Sequence, residues 1–251
     1  MVGRSITVRA PVLVPPGTLT QSFAKPPGKV YLLYGDDRIF PISLTMAAHA
    51  MARGSSVAVV DGCNQFNVHL ISRFARERKI NPEKLLKRIF ISRGFTCYQM
   101  EQAVTNRLPA FLGTIHSSTA MIFGLLDTFF DEQASLREVQ QILQRVLVSL
   151  NAMKTDGVSV LVVCHAYNVL PEERNRLFTT LKTGMDRVYR LEVDENNQSK
   201  LFLEQAQPPV AGKRLGSFTT THSHSEGVPL PAGRLKNLPV LSDSSKPSNT
   251  Y

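Results

Sequence analysis

Five short apolar runs, Val30 to Tyr34, Val57 to Val60, Ile89 to Ser92, Ala120 to Leu125 and Ser159 to Cys164, recur between longer segments of helical character. Successive side chains of a strand point to opposite faces, so a run that is apolar throughout must be covered on both. Helices crossing over a parallel sheet provide that cover, and the alternation of strand and helix supplies them. The chain is therefore expected to be an α/β protein with a mostly parallel sheet flanked by helices. The helices are predicted from Ile42 to Arg53, closed by Gly54, from Val68 to Lys79, Tyr98 to Leu112, Leu136 to Met153 and Glu172 to Lys182. Arg187 to Val193 and Lys200 to Gln205 flank Asp194-Glu195-Asn196-Asn197, which predicts a C-terminal antiparallel hairpin closing the sheet.

The flanks read differently. Residues 1–28 carry Pro15-Pro16-Gly17 and Pro26-Pro27-Gly28 and are expected to form an N-terminal arm or linker before a core spanning 29–207. Residues 208–251 are dominated by Pro, Ser, Thr and Gly with scattered Lys and Arg, which predicts a mobile basic tail. His222 and His224 in that tail have no Cys or third His nearby, so no metal site is expected there. Cys63, Cys97 and Cys164 are too few and too scattered for a disulfide framework and are expected as reduced thiols. No segment approaches the roughly 20 apolar residues that a bilayer demands, which excludes a membrane partner and points to the cytoplasm. A formal charge of +9 favours acidic partners, nucleic acid foremost, although solvated helix faces give the same balance.

In an open parallel sheet, ligands bind beyond the carboxyl ends of the strands. The residues there are Gly35-Asp36-Asp37-Arg38, Asp61-Gly62-Cys63-Asn64, Arg93 to Gln99, Asp127 and His165. The strand, glycine turn and helix from Val30 to Arg53, followed by Val59-Val60-Asp61, resemble the first βαβ unit of the RecA/RadA recombinase and KaiC-like ATPase superfamily. Asn81 to Ile89, Arg93-Gly94-Phe95-Thr96 and Gln99-Met100-Glu101 are similar to the next part of such a core. Phe123-Gly124-Leu125-Leu126-Asp127 stands where that family has its Walker B strand, so the resemblance covers Val30 to Glu192.

The resemblance implies a RecA-type P-loop core, and the departures from it concern the nucleotide. A Walker A loop wraps phosphates with glycine amides and adds a Lys and a Ser or Thr. Here Gly35-Asp36-Asp37-Arg38-Ile39-Phe40-Pro41-Ile42 offers no second Gly, no Lys and no hydroxyl in those places. Two carboxylates would repel a polyphosphate, and Pro41 removes a donor. The family's catalytic Glu falls on Cys63. No cofactor is expected, ATP and Mg²⁺ binding are argued against, and catalysis is expected to be lost. Asp127 is either a surviving Walker B-like carboxylate or a strand-end hydrogen-bonding group, and Asp61, Cys63, Gln99 and His165 are expected on the rim of the same site.

Three readings of function stay open. The first is an inactive RecA/RadA-like accessory of DNA repair or recombination that binds DNA, a RecA-type paralogue or itself. Its DNA-binding candidates are Arg73, Arg76, Arg78, Lys79, Arg174, Arg176, Lys213 and Arg214, with Lys84, Lys87 and Arg88 as further cations. The second is a structural or regulatory subunit that binds a paralogous ATPase without DNA. The third is a metal-dependent phosphodiester enzyme using Asp36, Asp37, Asp61 and Asp127.

Overall fold

The computed structural model describes residues 11–15, 17–23, 27–130, 134–167, 169 and 172–206. In chain order the elements are β1 (Val12–Val14), α1 (Gly17–Phe23), β2 (Val30–Gly35), α2 (Ile39–Ala52), β3 (Val57–Asp61), α3 (Val68–Glu77), α4 (Pro82–Leu86) and β4 (Ile89–Arg93). They continue with α5 (Cys97–Gln102), α6 (Leu108–Thr114), β5 (Thr119–Phe123), α7 (Leu136–Thr155), β6 (Ser159–His165), α8 (Asn175–Thr183), β7 (Arg187–Val193) and β8 (Ser199–Ala206). The strands form one eight-stranded sheet in the order β1-β8-β7-β2-β6-β5-β3-β4.

Strands β7, β2, β6, β5, β3 and β4 run parallel, as the both-face apolar runs require. Alternate side chains of one strand divide between two cores. Leu32, Val60, Ile122 and Val162 pack with α5 to α8, while Tyr31, Leu33, Val59, Met121 and Val163 pack with α1 to α4. At about 25 cal/mol per Å² of apolar area buried, these two layers are the main source of stability. The expected C-terminal hairpin is present, β8 pairing antiparallel with β7. Strand β7 itself joins β2 in parallel, because α8 returns the chain to the starting end of the sheet.

Three sequence expectations are corrected. The expected arm contains folded structure. Strand β1 pairs with β8 through Val12↔Leu203 to Val14↔Leu201, and α1 buries Leu19 and Phe23, the latter edge-on to Tyr31 at 5.8 Å. Elements of three and seven residues carry too little periodicity to be read, and they are held by the sheet they cover. The helix expected from Tyr98 to Leu112 is interrupted by a wide π turn at Ala103–Arg107, since Pro109 has no amide to give and its ring would crowd the carbonyl four residues earlier. The strand expected to reach Leu125 stops at Phe123, where Gly124 turns the chain with φ +60°. The basic tail, with Lys213, Arg214, His222 and His224, lies outside the described residues.

Candidate functional site

The crossover after β2 runs over α2 toward β3, and the crossover after β6 runs over α8, on the other face, toward β7. Chains leaving neighbouring strands in opposite directions open a crevice at their carboxyl ends, which is where an α/β sheet takes a ligand. Gly35 and His165 are paired there across β2 and β6, with Asp36, Asp37 and Arg38 above them.

That crevice is closed by the protein itself. Only Asp36 to Arg38 separate β2 from α2. Gly35 has φ +131°, and a Cβ on it would lie 2.1 Å from the Leu191 carbonyl oxygen, so the turn is pressed against β7. Several of its amides are already used. Asp36 N–H donates to Leu191 O at 3.1 Å, Ile39 N–H to Asp36 O at 2.9 Å, Phe40 N–H to Asp37 O at 3.3 Å and Ile42 N–H to Arg38 O at 3.1 Å. The Arg38 amide donates to Asp36 Oδ1 at 3.0 Å, and Pro41 has none to give. A phosphate needs such donors free and convergent.

Below the turn, Phe40 stands five residues after Gly35. It is 2 % exposed and lies edge-on to Phe123 at 5.6 Å and to His165 at 5.0 Å. Above it, the Arg38 guanidinium reaches the β7–β8 turn, donating to Asn197 O at 2.8 Å, to Ser199 Oγ at 3.2 Å and to Asn197 Oδ1. The Asp37 side chain stands in solvent, with His165 Nε2 2.9 Å from its Oδ1.

The rim residues are each engaged separately. Asp61, 1 % exposed, accepts the amides of Cys63 at 3.3 Å, Gln65 at 3.1 Å and Phe66 at 3.0 Å, which shapes the loop after β3. Arg93 Nε lies 4.0 Å from the same carboxylate. Gln99 Oε1 accepts Phe95 N–H at 2.8 Å while its own amide donates to Thr96 Oγ1 at 3.2 Å, a capping arrangement for α5. Asp127 accepts the Tyr167 hydroxyl at 2.7 Å. Among the described residues no three or more His, Cys, Asp and Glu are placed to hold a metal ion, and Asp36, Asp37, Asp61 and Asp127 face different partners.

Beside Asp127, burial first and then the Asp127 and Asp61 carboxylates push the Cys63 thiol far above its ordinary range. Burial and Asp127 do the same to Cys164, and burial, Cys164 and Asp127 keep the Tyr167 hydroxyl protonated. Protonated thiols are poor nucleophiles and poor metal ligands, so this cluster is a packed hydrogen-bonded floor. The three cysteines are free, Cys97 and Cys164 buried and Cys63 half-buried.

A neighbouring network was not foreseen from the sequence. Tyr34 donates to Glu204 Oε2 at 2.8 Å, Lys182 Nζ reaches Glu204 Oε2 at 2.7 Å and Tyr34 Oη at 3.0 Å, and Arg190 Nε donates to Glu204 Oε1 at 2.8 Å. Lys182 also lies over the Tyr34 ring, 4.6 Å from its centre. Its members are up to 170 positions apart, so no local pattern in the sequence announces it.

The nucleic-acid candidates separate in the same way. Arg174 is buried and donates to the Phe129 and Ala134 carbonyls at 2.7 Å each. That corrects its reading as a DNA contact: it ties the chain after β5 to the start of α8. Arg176 is exposed, as are Arg73, Arg76, Arg78 and Lys79 on α3 and just after it. Arg73 and Arg78 are partly neutralised by Glu77 at 3.8 and 4.0 Å. No described helix is long and apolar enough to cross a membrane. Compared with protein-family models and with curated proteins, the chain matches none.

Proposed function

We propose that the chain is a RecA/RadA-like protein that has given up nucleotide chemistry and acts as a DNA-binding or partner-binding accessory in DNA repair or recombination. The observation that carries the loss of nucleotide is the three-residue turn after β2, where the amides of Asp36, Arg38, Ile39, Phe40 and Ile42 already donate within the protein and where Phe40 is buried beneath. Support for the RecA-like part is the order of β2, glycine turn, α2 and β3, with an aspartate following β5. Support for DNA is the charge of +9.

A second reading, a structural or regulatory subunit binding a paralogous ATPase without DNA, draws on the free edge of the sheet at β4. There Ile91, Phe95 and Tyr98 are 45 %, 70 % and 47 % exposed, and an edge strand with bare apolar side chains is a ready partner surface.

The test is thermal unfolding with and without about 1 mM Mg-ATP, alongside duplex DNA titrated at rising salt. A site with micromolar affinity would add about 4 kcal/mol of stability at that ratio. No shift with ATP, together with salt-sensitive DNA binding, is the expected result. An ATP-dependent shift sinks the loss of the nucleotide site, and absence of DNA binding turns the choice to the protein-partner reading.

A further inference from the structure

The strongest unassigned surface lies at the opposite end of the sheet from the crevice, around the amino ends of β3 and β4. A groove of about 540 Å³ opens there, lined by Gly54, Ser56, Ile80, Lys84, Lys87 and Arg88 among others. Three helices end beside it: α2 at Ala52, α3 at Glu77 and α4 at Leu86. Eight of the chain's 29 Lys and Arg fall between Arg53 and Arg88, against three of its 20 Asp and Glu.

Helix dipoles account for part of this. Cations at Arg53, Arg78 and Lys87 complement the carbonyl ends of α2, α3 and α4. Lys79, Lys84 and Lys87 are exposed and make no ion pair among the described residues, so they keep their charge for a partner. Arg88, by contrast, is anchored to the Gly54 carbonyl, which fixes the groove wall. Arg53 and Arg78 both depress His49, after burial does, so these two cations crowd the same corner.

The chemistry of the groove selects among nucleic acids. Its lining holds no aromatic side chain, and Phe74 on α3 is covered by the Arg78 guanidinium at 3.8 Å and by His49 at 4.7 Å. Single strands are held by stacking bases on exposed aromatics, whereas a duplex presents phosphates and hides its bases. We infer that the groove between the ends of α2 and α4, with Lys84 and Lys87 in its lining and Lys79 next in the chain to the lining residue Ile80, binds the phosphate backbone of double-stranded DNA without reading sequence. The inference rests on the DNA-binding reading above and gives it a surface and a strand preference.

The full chain is titrated with a labelled duplex of about 20 base pairs and with a single strand of equal length, across a range of salt. The variant Lys79→Gln/Lys84→Gln/Lys87→Gln is compared with Lys213→Gln/Arg214→Gln, and each fold is checked by thermal unfolding. The groove variant is expected to weaken duplex binding roughly tenfold or more and to lower the slope of log affinity against log salt by about 0.9 for each phosphate no longer neutralised. An unchanged slope in that variant while wild type binds the duplex overturns the groove alone, as does preference for the single strand. If wild type binds no DNA, the DNA-binding reading fails with it. Binding to anionic vesicles in place of the duplex also overturns the inference.

Discussion

Glu204 is the side chain around which the crevice is buttressed, and it shows how one residue's environment becomes a pH dependence. Burial pushes its carboxyl up, but Lys182, Tyr34 and Arg190 outweigh that and hold it below its ordinary value of 4.5. A carboxylate with a lowered folded value favours folding above the unfolded value, and the benefit disappears as pH falls through the folded one. Wild type should therefore lose stability below about pH 4.5, and Glu204→Gln should lose less over that interval while being less stable at neutral pH. Urea denaturation repeated at several pH values measures both, and parallel curves for the two proteins would refute the assignment. The place of the candidate site was legible at this scale, because Gly35, Asp61 and His165 close apolar strands. Tyr167 and Glu204 were not legible, because their meaning lies in partners 40 and 170 positions away.

The short elements carry the next lesson. Helix α1 has seven residues and no charged cap, yet Leu19 is 1 % exposed and Phe23 5 % exposed against the sheet. An isolated helix of that length is not stable in water, so packing is what forms it. Leu19→Ala should cost about 2–5 kcal/mol, as for other buried leucines, measured by urea denaturation. A cost near zero would restore the reading of an unattached arm. The long helix α7, by contrast, was readable from its own pattern: Ser135 caps it by accepting Glu138 N–H, and Val139, Ile142, Leu143, Val146 and Leu150 face the core.

At the scale of the whole molecule, the described residues belong to one compact unit, with both faces of the sheet covered and the basic groove and closed crevice at its two ends. A chain ending at Pro209 should unfold in one cooperative transition at the temperature of the full chain. A difference beyond about 2–4 °C would mean roughly 1 kcal/mol or more contributed by 210–251. Unfolding followed by calorimetry decides this.

Local pattern determined the α/β class and the parallel strands, because strand periodicity and residue type act within a few positions of the chain. Tertiary structure alone decided that β7 joins β2 in parallel, that residues 12–23 contain folded elements, that Phe40 fills the crevice and that Arg174 is buried rather than available to DNA. Those outcomes depend on which distant surfaces meet, and the free energy of such meetings belongs to the packed layers and not to any one segment.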